Sequence, residues 1–94
     1  MIRSFKHKGL KQLFEDGDGK LLQAEHVEKL ENILAVLNRA RSPSDAALPG
    51  FRLHPLTGNL KGLWSITVRA NWRVIFRFEA GDVYDIKLDD HDYR

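Results

Sequence analysis

Apolar residues recur along this chain at two periods, helical in the first half and alternating in the second. Ile2 to Phe5 is short and extended in character and predicts a first strand. From Lys8 onward Leu10, Leu13 and Phe14 follow helical spacing until Asp16-Gly17-Asp18-Gly19, a strong helix breaker. Val27, Leu30, Ile33, Leu34 and Leu37 then mark one stripe of a longer helix, about Leu22 to Arg41, with Glu25, Glu28, Lys29, Glu31 and Asn32 on its wet side. Ser42-Pro43 with Asp45 reads as a cap followed by one extra turn, closed by Pro49-Gly50. His7 and His26 fall among charged neighbours and read as surface residues.

Beyond that point the period drops to two. Phe51 to His54 predicts a short strand before Pro55. Trp64, Ile66 and Val68 alternate with polar residues, as do Trp72, Val74, Phe76 and Phe78, and a last strand carries Val83, Tyr84, Ile86 and Leu88. Turns fall at Ala70-Asn71-Trp72 and at Ala80-Gly81-Asp82. Helices first and strands afterwards mean an α+β fold, a curved antiparallel sheet with two N-terminal helices packed on one face and the other face open. The whole chain, residues 1–94, is expected to form one domain. A chain this size buries roughly 60–65% of its unfolded surface, enough to fold without staples.

The absence of cysteine excludes disulfides, thiolate nucleophiles and cysteine-based zinc sites, and suits a reducing cytoplasm. No stretch approaches the roughly 20 apolar residues that span a bilayer, and the basic start lacks the apolar core of a signal peptide. No cofactor motif is present, so none is expected, and no membrane role either. Net charge is only +2, but it is blocked: residues 41–79 hold six bases and two acids. That block reads either as a local anion site or as ordinary charge scatter.

Keeping both apolar sets of the hairpin Trp64–Phe78 on one face requires pairing of like parity. Arg69 is then expected roughly opposite Arg73 beside the turn, with Arg77 following on the same open face. Like charges opposed across strands are destabilising, so such a pair is either left in water or used on an anion, and guanidinium groups suit phosphate. His54, before Pro55, is placed to lean into a cleft or simply to be exposed. Asp89-Asp90-His91-Asp92-Tyr93-Arg94 reads as a solvated acidic tail, part of a catalytic cleft, or a metal site. The last is disfavoured because neighbours on an extended segment point opposite ways.

Three stretches, Ile2 to Leu10, Leu53-His54-Pro55-Leu56 and above all Trp64 to Arg73, resemble the HigB-type toxins of the RelE/ParE toxin–antitoxin superfamily. The resemblance covers nearly the whole chain. It implies a RelE-like microbial RNase fold and a metal-independent, ribosome-dependent mRNA endonuclease that inhibits translation. It also implies neutralisation by a HigA-type helix-turn-helix antitoxin, through which alone operator DNA would be met. Carried over by position, it makes His54, Arg69, Arg73 and Asp90 catalytic candidates, and His91 joins them because an imidazole can exchange a proton near pH 7. Lys61, Asn71, Arg77 and Tyr93 are the candidates for RNA contact. The family's C-terminal Asp-Tyr-His stands here as Asp90-His91-Asp92, and Thr57 stands where many members carry lysine. A gyrase-inhibiting relative that cleaves nothing, and a toxin that only binds its antitoxin, are the alternative readings.

Overall fold

The computed structural model describes residues 1–90. Two helices, α1 (Lys8–Asp16) and α2 (Ala24–Arg39), precede four strands: β1 (His54–Pro55), β2 (Leu63–Arg69), β3 (Trp72–Glu79) and β4 (Asp82–Asp89). The strands form an open antiparallel sheet in sequence order, β1-β2-β3-β4. One-turn 3₁₀ segments lie at Pro43–Ala46 and Gly58–Leu60. The first carries the expected cap, with the Asp45 carboxylate accepting from the Ser42 backbone N–H. Among the described residues no helix is long and apolar enough to cross a membrane.

The core lies between the helices and one face of the sheet. Leu10 from α1, Leu30, Ile33 and Leu37 from α2, and Ile66, Val74, Phe76, Val83 and Ile86 from the sheet have essentially no exposure. Each such side chain contributes about 1.5–3 kcal/mol on burial, far more than a surface ion pair, so the apolar stripes decide which face the helices cover. Phe76 centres this layer on β3 and meets Phe78 edge-on, with ring centroids 6.1 Å apart. Trp64, Trp72 and Phe78 pack against the same core.

Like-parity pairing holds through the middle of the hairpin, with Trp64 opposite Phe76 and Ile66 opposite Val74. Two bulges then reverse the alternation. In β2 the pairs Thr67–Arg73 and Arg69–Trp72 are successive, leaving Val68 as an extra residue. In β4 the step from Tyr84 to Lys87 opposes the shorter step from Arg77 to Ile75, and Asp85 takes φ 58°. This second bulge turns both Val83 and Ile86 inward although they are three apart. The Ala80-Gly81 turn, with φ of 52° and 84°, has the two positive angles that suit the twist of a tight hairpin.

Several expectations need correction. Ile2–Phe5 is not a ladder strand; Ile2 and Phe5 each make a single parallel bridge, to Val83 and Ile86. The β4 bulge lies between those bridges, where the Asp85 backbone N–H donates to Ser4 Oγ at 2.8 Å. The strand expected over Phe51–His54 begins only at His54, because Arg52 is left-handed at φ 51°. His26 is buried rather than exposed, its ring 5.4 Å from that of Trp72, because the start of α2 lies over the β2–β3 hairpin end.

His7 caps α1: its Nδ1 accepts from the Leu10 backbone N–H at 3.2 Å. Gly9 makes room for the ring, since a Cβ there would come within 2.9 Å of His7 Cε1. Burial lowers the imidazole pKa below its ordinary 6.5, and protonation at Nδ1 would remove the acceptor. The folded chain therefore binds fewer protons than the unfolded one between that lowered value and 6.5. Stability is full above the unfolded value and falls as pH drops through this window. Thermal melting of the wild type should decline between about pH 7.5 and about pH 5 more steeply than that of His7→Asn, which keeps a capping oxygen without the titration. Equal slopes would remove His7 from the pH dependence.

Candidate functional site

The open face of the sheet carries a cleft of about 510 Å³, lined by Arg52, His54, Ser65, Thr67, Ala70, Asn71 and Arg73. It is built from three neighbouring backbones. Phe51 anchors the first by burying its ring on the core side, where the Lys29 ammonium lies 5.8 Å from the ring centroid and also bonds the Gly50 carbonyl at 3.0 Å. The Phe51 carbonyl accepts from the Thr67 N–H at 2.8 Å, stitching this segment to β2. Three residues after Phe51, His54 pairs with Ser65, and Ser65 is almost wholly buried as part of the cleft floor.

The far wall belongs to β3. Arg73 lies opposite Thr67 and donates from Nη1 to Thr67 Oγ1 at 2.9 Å, a bond that orients the guanidinium over β2. The turn before it supplies Ala70, at φ 51°, and Asn71. β4 places Asp89 in register with Arg73, so the chain leaves the sheet on that side, and Asp90 follows as an exposed residue. Among the described residues none of the lining side chains is acidic, and two are guanidiniums. The electrostatics therefore favour an anion beside one exposed imidazole.

The expected opposition of Arg69 and Arg73 does not occur. The β2 bulge pairs Arg69 with Trp72, a core-face residue, and Arg69 turns to the helix side to bond Glu25 of α2 at 2.7 Å. That pair is exposed at both ends, 65% and 56%, so it contributes about 1 kcal/mol or less. Arg77 is on the open face but is engaged by Glu79, by Asp85 at 3.4 Å and by the Tyr84 ring at 4.8 Å. The Glu79 carboxylate leads in raising its pKa, with Asp85 adding to the effect. Lys61 lines a separate notch of about 430 Å³ with Pro55, Leu56, Leu63 and Trp64. Asn71 is in the cleft. His91 and Tyr93 lie outside the described residues.

Reading the sequence alone missed Arg52, Ser65 and Thr67. The latter two were visible as the polar partners alternating with Trp64, Ile66 and Val68. Arg52 carried no such signal, because its direction depends on a backbone angle that spacing does not reveal.

A helix-backed antiparallel meander whose open face carries a cleft lined, among the described residues, by two guanidiniums and one imidazole defines a small α+β protein. The sequence places it more narrowly: residues 3–91 match the family described as RelE-like toxin of type II toxin-antitoxin system HigB, and the chain belongs to that family. It is 44% identical over 91 residues to Endoribonuclease HigB of Proteus vulgaris, covering 97% of this chain and 99% of that protein. It is 38% identical over 95 residues to Toxin HigB-1 of Vibrio cholerae serotype O1, covering 99% of this chain and all of that protein. A type II toxin has an antitoxin as its partner.

Proposed function

We propose that this chain is an endoribonuclease that cuts mRNA on the ribosome, and that the open-face cleft is where it does so. The observation that carries the reading is the meeting of His54 and Arg73 in one cleft with no acidic lining among the described residues. The endoribonuclease name of a relative 44% identical along nearly the whole chain supports it. Among the described residues no Phe, Tyr or Trp lines the cleft, since Trp64, Trp72, Phe76 and Phe78 pack on the core. Stacking of bases is therefore weak here, and a second body, the ribosome, positions the message.

Cleavage through the 2′-hydroxyl requires that group to lose its proton, the phosphorane charge to be stabilised, and the departing 5′-oxygen to gain a proton. Arg73 meets the developing charge, and His54 exchanges one of the protons. Asp90, which follows β4 directly, and His91 are the candidates for the other proton transfer. Arg69 joins only by leaving Glu25, which costs about 1 kcal/mol or less. Asn71 and Lys61 contact flanking nucleotides, as does Tyr93. Arg77 acts on RNA through its place in the Tyr84–Asp85 cluster. A HigA-type helix-turn-helix antitoxin neutralises the toxin in the cytoplasm and supplies its only link to operator DNA.

The test is to incubate the purified chain with translating ribosomes and map the ends of the message. Cuts within translated sequence, with a 2′,3′-cyclic phosphate on the upstream fragment, are expected. Intact message at a toxin concentration above that of the ribosomes would reject the reading.

A further inference from the structure

We propose that Arg52 is the second phosphate-binding guanidinium of the cleft, acting across β2 from Arg73; this rests on the reading of the cleft as an RNA site. A non-glycine residue at φ 51° occupies a sparsely populated, strained region that persists only where its surroundings enforce it. Here the enforcement is visible. Phe51 is buried on the core side, its carbonyl is tied to the Thr67 N–H, and three residues later His54 must pair with Ser65. The left-handed turn between these anchors sends Arg52 to the open side, where its exposed side chain lines the cleft.

The placement is symmetric about Thr67. The Phe51-Arg52 segment hydrogen-bonds β2 at Thr67 from one side, and Arg73 pairs with Thr67 from the other. Two inter-strand spacings of about 4.8 Å separate the two backbones, which brings both long side chains within reach of one phosphodiester lying over β2. Arg73 already spends one N–H on Thr67, whereas no carboxylate among the described residues forms an ion pair with Arg52. Two guanidiniums on opposite sides of the phosphorus can each offer N–H groups to a different non-bridging oxygen, an arrangement one cation cannot achieve. Arg52 is therefore the cation available at rest, and Arg69 is the one held elsewhere.

The test uses Arg52→Gly and Arg52→Asn, both of which accept the left-handed angle. Each is read for melting temperature, for cutting of ribosome-bound message, and for the salt dependence of binding a short RNA made uncleavable by a single 2′-deoxy substitution. The expected result is melting no lower than wild type, cutting slower by about 10²-fold, and a log–log salt slope shallower by about 0.7, the loss of one phosphate contact. Wild-type cutting with an unchanged slope in both variants would overturn the proposal. Should the wild type itself fail to cut while the slope still becomes shallower, Arg52 stands as a phosphate contact and the mRNA-cutting reading falls. A lower melting temperature in both variants with unchanged binding would make Arg52 a structural residue and likewise overturn it.

Discussion

A His54→Ala variant is expected to cut ribosome-bound message about 10²–10⁴-fold more slowly than wild type, the usual contribution of one proton-transfer group. Nothing in the packing opposes a clean result. His54 is exposed, and its pairing to Ser65 is a backbone matter that alanine preserves. No side-chain hydrogen bond or ion pair of His54 is found among the described residues, so the stability change should stay within about 0.5 kcal/mol. Cut-site mapping and growth arrest, compared at equal soluble toxin level and with melting curves in parallel, check it. Full cutting by a folded His54→Ala protein would leave the cleft's only described imidazole without a role in the chemistry. Partial loss with an altered pH profile would point to the residues after Asp89 as the stronger proton carriers.

The second large effect is on the fold. Phe76→Ala should destabilise the chain by about 3–5 kcal/mol, against a total stability of about 5–15 kcal/mol for a small domain. Phe76 is fully buried at the middle of β3, between the helix layer and the sheet, and its loss opens a cavity where neither α2 nor the paired strands can close in. The midpoint in urea should fall while the slope of the transition stays unchanged. The bacterial phenotype should follow as lost toxicity through lost protein rather than lost chemistry. The two variants are thus separable: His54→Ala yields normal amounts of inactive toxin, Phe76→Ala little toxin of normal activity per folded molecule. A Phe76→Ala protein with unchanged midpoint would mean that the core is shared more widely than the burial indicates.

The comparison of Arg69 with Arg52 shows where reading a chain by period succeeds and where it stops. Pairing of like parity across Trp64–Phe78 was correctly anticipated from the apolar residues alone, because burying Ile66, Val74 and Phe76 together outweighs any alternative register. Extending that parity one pair too far put Arg69 on the wrong face. The bulge at Val68 keeps an apolar residue against the core, and Arg69 beyond it turns toward Glu25. In β4 the corresponding signal was legible: Val83, Ile86 and Leu88 are spaced three and then two, which no regular strand can bury on one face. That odd spacing is itself the mark of a bulge.

From sequence alone came two amphipathic helices, a meander, the parity of its central hairpin, the open face with Arg73, and a histidine before Pro55 at the right edge. These are local or nearest-neighbour properties, set by side-chain polarity repeating at 3.6 or 2 residues. The three-dimensional structure alone decided that Arg52 faces the cleft, that Arg69 lies over α2, and that Arg77 is enclosed by Glu79, Asp85 and Tyr84. Each of these depends on a single backbone irregularity, whose position follows from contacts between segments far apart in the chain: Phe51 seated in the core, Ser4 bonded to Asp85, Trp72 packed on His26. A periodic pattern carries no record of such contacts, so the partners of this toxin's arginines could be learned only from its folded form.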